Sequence, residues 1–276
     1  MSSFSMGEAW AAGRAAVTDN GPTIAIYTAM ATIIPILVFS IFPETSTRTF
    51  LAMTLNNNVY YSDETPRTIA GLFVIASFAF GTILFGCWSA VLAASRDGLI
   101  IELMNGAVAN LLSMIVATGV YVAMLVPVAI IVGVIFAASG GGNGPPTVLV
   151  QIVPTLMMIP MLWLNARLCL AGPAMVDSGS INPFAGLAQS WRLTAPCQWR
   201  VLFYLLIFQI ISYAALIGIF AGATALILGS DGTSWHDYGV TAAWMVFLAM
   251  TFLTLIILPV GIYRTVRPQS RIDIFE

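Results

Sequence analysis

The chain has 276 residues, of which 59% are hydrophobic and only 8% charged, with a mean hydropathy of +0.94 and a formal net charge of -2. Soluble domains carry roughly 25% charged residues, so this composition excludes an ordinary soluble domain and indicates an integral membrane protein. Ten basic residues against twelve acidic ones leave no basic surface for nucleic acid.

The N-terminal segment "MSSFSMGEAWAAGRAAVTDN" carries Glu8 and a single early arginine, Arg14. The apolar run after it exceeds the ~7 to 15 residues of a signal-peptide core, so this first hydrophobic helix is expected to stay in the mature protein. A helix crosses the roughly 30 Å hydrocarbon core with about 20 apolar residues at 1.5 Å per residue. Six segments meet that length: 22–42, 68–94, 106–138, 147–166, 201–229 and 239–263. The sequence therefore predicts an all-α polytopic bundle of about six helices, with residues 1–276 forming one integral membrane domain. Prolines inside the spans, including Pro35, Pro127, Pro154 and Pro160, are expected to kink their helices, because neighbouring helices can satisfy the freed carbonyls.

The arginines set the orientation. With a cytoplasmic N-terminus, the inner segments hold Arg14, Arg96, Arg167, Arg192, Arg200, Arg264, Arg267 and Arg271, and the outer ones hold Arg48 and Arg67. That asymmetry follows the positive-inside rule and puts both termini in the cytoplasm. The outer connections are then a long loop over 43–67, a glycine turn near Gly141, and a short turn containing His236, the chain's one histidine.

Each inner segment leading into an odd-numbered span has the same plan of amphipathic stretch, polar break and span. The clearest covers 182–194, where Asn182 suits the helix cap and Pro183 the first helical position. Phe184, Leu187, Ala188 and Trp191 fall on one face, away from Gln189, Ser190 and Arg192. This predicts a short cytoplasmic interfacial helix. The N-terminal segment with Phe4, Trp10 and Arg14 has similar character, and "SRDGLIIELMNG" has it more weakly. Odd-numbered spans recur about every 90 residues, a spacing that suggests three two-helix units.

Residues 167–206, "RLCLAGPAMVDSGSINPFAGLAQSWRLTAPCQWRVLFYLL", contain an arginine-led helix end, a P-x-x-V step, an amphipathic helix ending S-W-x-L-T, and W-R opening the next span. The residues concerned are Arg167, Pro173, Val176, Ser190, Trp191, Leu193, Thr194, Trp199 and Arg200. This run resembles the membrane domain of some bacterial glycerophosphoryl diester phosphodiesterases, which also occurs alone, although Ala195-Pro196 stands where a glycine-containing turn is more usual. The resemblance implies a bacterial inner-membrane protein. It implies no enzyme, because in fused members the chemistry belongs to a separate metal-binding barrel domain with no counterpart here.

The same motif has a purely physical reading. Tryptophan favours the headgroup level and arginine favours anionic headgroups, which makes Trp191, Arg192, Trp199 and Arg200 membrane-surface anchors. A sharper alternative has Arg167, Arg192 and Arg200 converging on a lipid phosphate through fork geometry.

No acid, lysine or histidine falls within the six predicted spans, which argues against a proton relay or charged-ion path. The polar groups that remain are neutral: Asn110 and Ser113 on the third span, Gln151, Thr155 and Asn165 on the fourth, and Gln209 with Ser212 and Tyr213 on the fifth. They can bond one another across helix contacts, or line a cavity for a lipid or small amphiphile. A small-residue stripe on the fifth span, including Ala214, Gly218 and Gly222, allows close helix approach, with a partner in the same bundle favoured over a second protomer. Cys87, Cys169 and Cys197 stand at distant, unequal spacings and are read as small core hydrophobes, not as a metal or disulfide set. No phosphate loop, nucleophile elbow or paired-histidine metal motif is present, so no cofactor or metal is expected and the chain is read as non-enzymatic. The leading expectation is a scaffold or accessory subunit contacting membrane lipids, anionic ones above all, and able to take a membrane-protein partner or a second copy. The alternative is a carrier or flippase for an uncharged or lipid-like substrate, which requires a continuous cavity reaching the bilayer midplane.

Overall fold

A computed structural model describes residues 4–40, 65–93, 98–138, 160–228 and 235–267. Among these residues all regular structure is helical: α1 (Met6–Asp19), α2 (Gly21–Ser40), α3 (Thr65–Leu92), α4 (Leu99–Ala138), a helical segment at 160–168, α5 (Ala171–Asp177), α6 (Pro183–Thr194), a 3₁₀ turn (Ala195–Cys197), α7 (Gln198–Leu228) and α8 (Trp235–Val266). Five helical stretches are long and apolar enough to cross a membrane: Gly21–Val38, Gly71–Leu92, Leu99–Val120, Pro183–Ile219 and Ala242–Val266. The helical segment at 160–168 covers the C-terminal end of the expected fourth span. The rest of that span, with Gln151 and Thr155, lies outside the described residues, as do most of the 43–67 loop and the glycine turn.

Two boundaries depart from the sequence reading, each for a local reason. Gly98, at φ 93°, occupies the left-handed region open to glycine, and α4 begins directly after it. Glu102 therefore falls inside the helix, in the first turn, where the helix dipole favours an acid. It is only 6% exposed and accepts a hydrogen bond from the Tyr27 hydroxyl of α2 at 2.8 Å, while Leu99, Ile100, Ile101 and Met104 around it face outward. Hydropathy alone leaves Glu102 in the connection ahead of the expected span 106–138; the helix extends back to take it into its first turn, within the apolar stretch Leu99–Val120. In α8 the helix starts at Trp235 and takes His236 into its first turn.

The bundle is assembled through small residues, as expected where lipid tails compete with side chains and only close packing favours association. α1 lies along α8 with Ala9, Gly13 and Ala16 buried; a Cβ on Gly13 would overlap Ile257, and one on Gly261 would overlap the backbone of Ala9. α3 crosses α4 closely, and a Cβ on Gly106 would come within 2.9 Å of the Thr82 carbonyl. The main core gathers Tyr27, Ile83, Trp88, Phe252 and Ile256 from α2, α3 and α8. Pro259 interrupts α8 and removes the amide that would bond the Leu255 carbonyl. Trp88 supplies the replacement, donating Nε1–H to that carbonyl at 3.2 Å.

Candidate functional site

The segment at 160–168 and α6 are joined by the polar residues of the S-W-x-L-T run. Asn182 caps α6 by accepting from the Phe184 amide at 3.0 Å, and Pro183 takes the first turn, as the sequence predicts. From that start the helix turns Gly186, Ser190 and Thr194 inward. The Ser190 hydroxyl donates to the Arg167 carbonyl at 2.7 Å and accepts from the Leu170 amide at 3.2 Å; Thr194 donates to the Ser190 carbonyl at 2.8 Å. These bonds satisfy groups left open where the first helix ends. The small, polar side of α6 is therefore its buried side, and Phe184 (67% exposed) and Trp191 (40%) face outward.

Of the five predicted interface residues, the structure unites two. Arg167 is 5% exposed, its guanidinium carbon 4.0 Å from the Trp191 ring centroid and 5.8 Å from that of Trp163. Nη1 reaches the Thr194 hydroxyl at 3.5 Å, while Nε is buried without a hydrogen-bond partner. No carboxylate among the described residues pairs with this charge. Arg167 is thus enclosed by aromatic rings instead of lying open at a surface. Arg200 donates to the Phe4 carbonyl at 3.1 Å, tying the N-terminal segment to α7, whereas Arg192 and Trp199 are exposed. Phe4, read as interfacial, is instead buried beside Tyr204, and Trp10 stacks on Phe208 with centroids 5.3 Å apart.

Beside this clamp lies a cavity of about 500 Å³, within the roughly 300–1,000 Å³ of small-molecule sites. Trp88, Gly172, Leu255 and Pro259 contribute to its wall, Pro183 and Leu187 bring α6 to it, and Val116, Leu205 and Leu216 add further apolar surface. Its polar groups are Ser113 of α4, Asn165 of the 160–168 segment, and Gln209, Ser212 and Tyr213 of α7, together with Thr251 and Thr254 of α8. Five of the predicted intramembrane polar residues, Ser113, Asn165, Gln209, Ser212 and Tyr213, are therefore brought together. Asn110 is not: it is buried against α3, donating to the Phe78 carbonyl at 2.9 Å beside Gly81. The amides of Asn165 and Gln209 make no hydrogen bond to another described residue. Cys169 also lines the cavity, and burial pushes its thiol up to about 12, which keeps it uncharged.

Two polar contacts have no signal in the sequence pattern. Tyr27 and Glu102 form one. The other is Asp177, which accepts from the Tyr263 hydroxyl at 2.8 Å and pairs with Arg267 at 2.9 Å, fastening the end of α5 to the end of α8. Among the described residues no group of three histidine, cysteine, aspartate or glutamate side chains could hold a metal ion. At Gly218 and Gly222 of the small-residue stripe of α7, nothing described lies within 4 Å of an added Cβ. The chain matches no protein-family model, no curated protein and no solved structure.

Proposed function

We propose that the protein is a non-enzymatic carrier of the bacterial inner membrane that holds an uncharged or lipid-like molecule in the cavity between α4, α7 and α8. The observation that carries this reading is the cavity itself, with hydrogen-bonding groups but no ionised side chain among its described lining residues. Gln209 stands nine residues beyond Arg200, about 14 Å along the helix and close to the middle of a roughly 30 Å core, the depth a carrier requires. Filling the space tests it. Ala117→Phe is expected to weaken retention of any small lipid that co-purifies by about 1–3 kcal/mol, a factor of roughly 5 to 150, as overpacking costs in a filled site. Lipid extraction and mass spectrometry of the purified chain read the result; an unchanged lipid complement with an unchanged elution profile counts against the carrier.

A second reading, a scaffold or accessory subunit held to anionic headgroups, rests on α6. The stretch Pro183–Ile219 has 37 residues, about 55 Å as straight helix against a core of roughly 30 Å; with α6 lying along the cytoplasmic interface, only α7 crosses. The outward Phe184 and Trp191 and the exposed Arg192 and Trp199 suit such a surface. The resemblance of 167–206 to the phosphodiesterase membrane domain fits the same picture, with Arg167, Ser190, Trp191 and Thr194 as its structural joint. Arg192→Gln with Arg200→Gln should weaken anionic-phospholipid binding by up to about thirtyfold, at about 1 kcal/mol per arginine near the surface. Native mass spectrometry in mixed-lipid nanodiscs measures this, and identical occupancy in variant and parent would remove the reading.

A further inference from the structure

Resting on the carrier reading, we infer that the cavity's ligand is a single-chain neutral lipid whose head bears hydroxyl, ester or amide groups. The apolar wall, the free amides of Gln209 and Asn165, and the cavity's size define that class. Three arguments lead there.

The first is charge. Ser113, Asn165, Gln209, Ser212 and Tyr213 can donate and accept hydrogen bonds, yet none offers a counter-ion. A fatty-acid carboxylate or a phosphate at this depth would remain an unpaired ion in a low-dielectric site, the costliest arrangement available. The nearby cation does not serve it either, since Arg167 is enclosed by Trp163 and Trp191 and is not among the cavity's lining residues.

The second is unused bonding capacity. A primary amide has two donor hydrogens and an acceptor oxygen, and those of Asn165 and Gln209 are unspent within the described protein. A purely hydrocarbon ligand would seal them in without partners, at a cost that a hydroxyl- or ester-bearing head removes.

The third is volume. About 500 Å³, at roughly 30 Å³ for a water-sized group, holds on the order of 17 such groups, enough for a small head and the larger part of one acyl chain, whose end would extend into the bilayer, and far short of two chains.

The test places the full chain in phospholipid nanodiscs supplemented, in separate arms, with 1-monooleoylglycerol, oleate or extra phosphatidylglycerol, and measures retained ligand by native mass spectrometry. Monooleoylglycerol is expected to be retained at one copy per protein. Gln209→Leu, which keeps the volume, should cut that retention about tenfold, one buried hydrogen bond's worth, and Gln209→Glu should cut it at least as far. Ser212→Ala should show a smaller loss, and gives a second reading should Gln209→Leu fold poorly. Retention of oleate or phosphatidylglycerol in preference, lost on Ala117→Phe, would overturn the neutral-head inference while leaving a carrier. Retention of none of the three would sink the inference and the carrier together. Monooleoylglycerol binding indifferent to both Gln209→Leu and Ser212→Ala would overturn the assignment of the head to this site.

Discussion

Gly261→Ala is expected to destabilise the protein by about 1–3 kcal/mol, the cost of forcing a methyl into packed space, and Gly261→Val by more. The added Cβ would overlap the Ala9 carbonyl and lie 3.1 Å from the Gly13 amide nitrogen, so every group in its way is backbone. No rotamer change relieves that overlap; α1 must move off α8. The loss would extend beyond one contact, because α1 also carries Trp10 onto Phe208, and Phe4 ahead of it supplies the carbonyl that Arg200 uses. Gly119→Ala is the control. Nothing described lies within 4 Å of its Cβ, and alanine is the better helix former by about 1 kcal/mol, so this variant should be neutral or slightly stabilising. Thermal unfolding in detergent compares the two. Equal midpoints for Gly261→Ala and the parent would mean that α1 is not seated on α8 as described.

The same α1–α8 contact illustrates which features a sequence carries and which it does not. Hydropathy and span length suffice for an all-helical membrane chain, because bilayer thickness acts on each helix separately. The cap of α6 is also legible, since Asn182 and Pro183 act on their own helix. Pairing between helices is not. Ala9, Gly13 and Ala16 look like neutral composition until α8 lies beside them. Trp10 looks like an interface anchor until Phe208 comes within stacking distance. For the site, shared polar character within apolar spans singles out Ser113, Asn165 and Gln209, and they do face one cavity. Asn110, with the same chemistry and three residues from Ser113, turns to a carbonyl of α3 instead. Helical spacing gives a residue's direction around its own helix and leaves the neighbour it meets undetermined. Glu102 escapes for a related reason: its hydrogen-bond donor, Tyr27, lies 75 residues away.

Trp88→Phe is expected to cost about 1–3 kcal/mol, the range for leaving a buried acceptor without its donor, while keeping most of the ring's packing. The acceptor is the Leu255 carbonyl, orphaned because Pro259 four residues on has no N–H. That origin makes the prediction specific. Pro259→Ala returns an amide that can bond Leu255 within the helix, so in that background Trp88→Phe should lose much of its effect, giving a double-mutant coupling of about 1 kcal/mol. Strictly additive losses in thermal or denaturant unfolding would show that the indole N–H does not serve the proline break. The joint also bears on ligand binding. Gly172 lies so close beneath the Trp88 ring that any Cβ there would overlap it, and Trp88, Gly172, Leu255 and Pro259 all line the cavity. A proline-broken helix, an indole that completes its hydrogen bonding and a glycine that admits the indole together set the position of one cavity wall. Trp88→Phe should therefore lower lipid retention along with stability, whereas Gly261→Ala acts at a contact where neither Gly261 nor any α1 residue lines the cavity, and should lower stability with a smaller change in the ligand bound per folded protein.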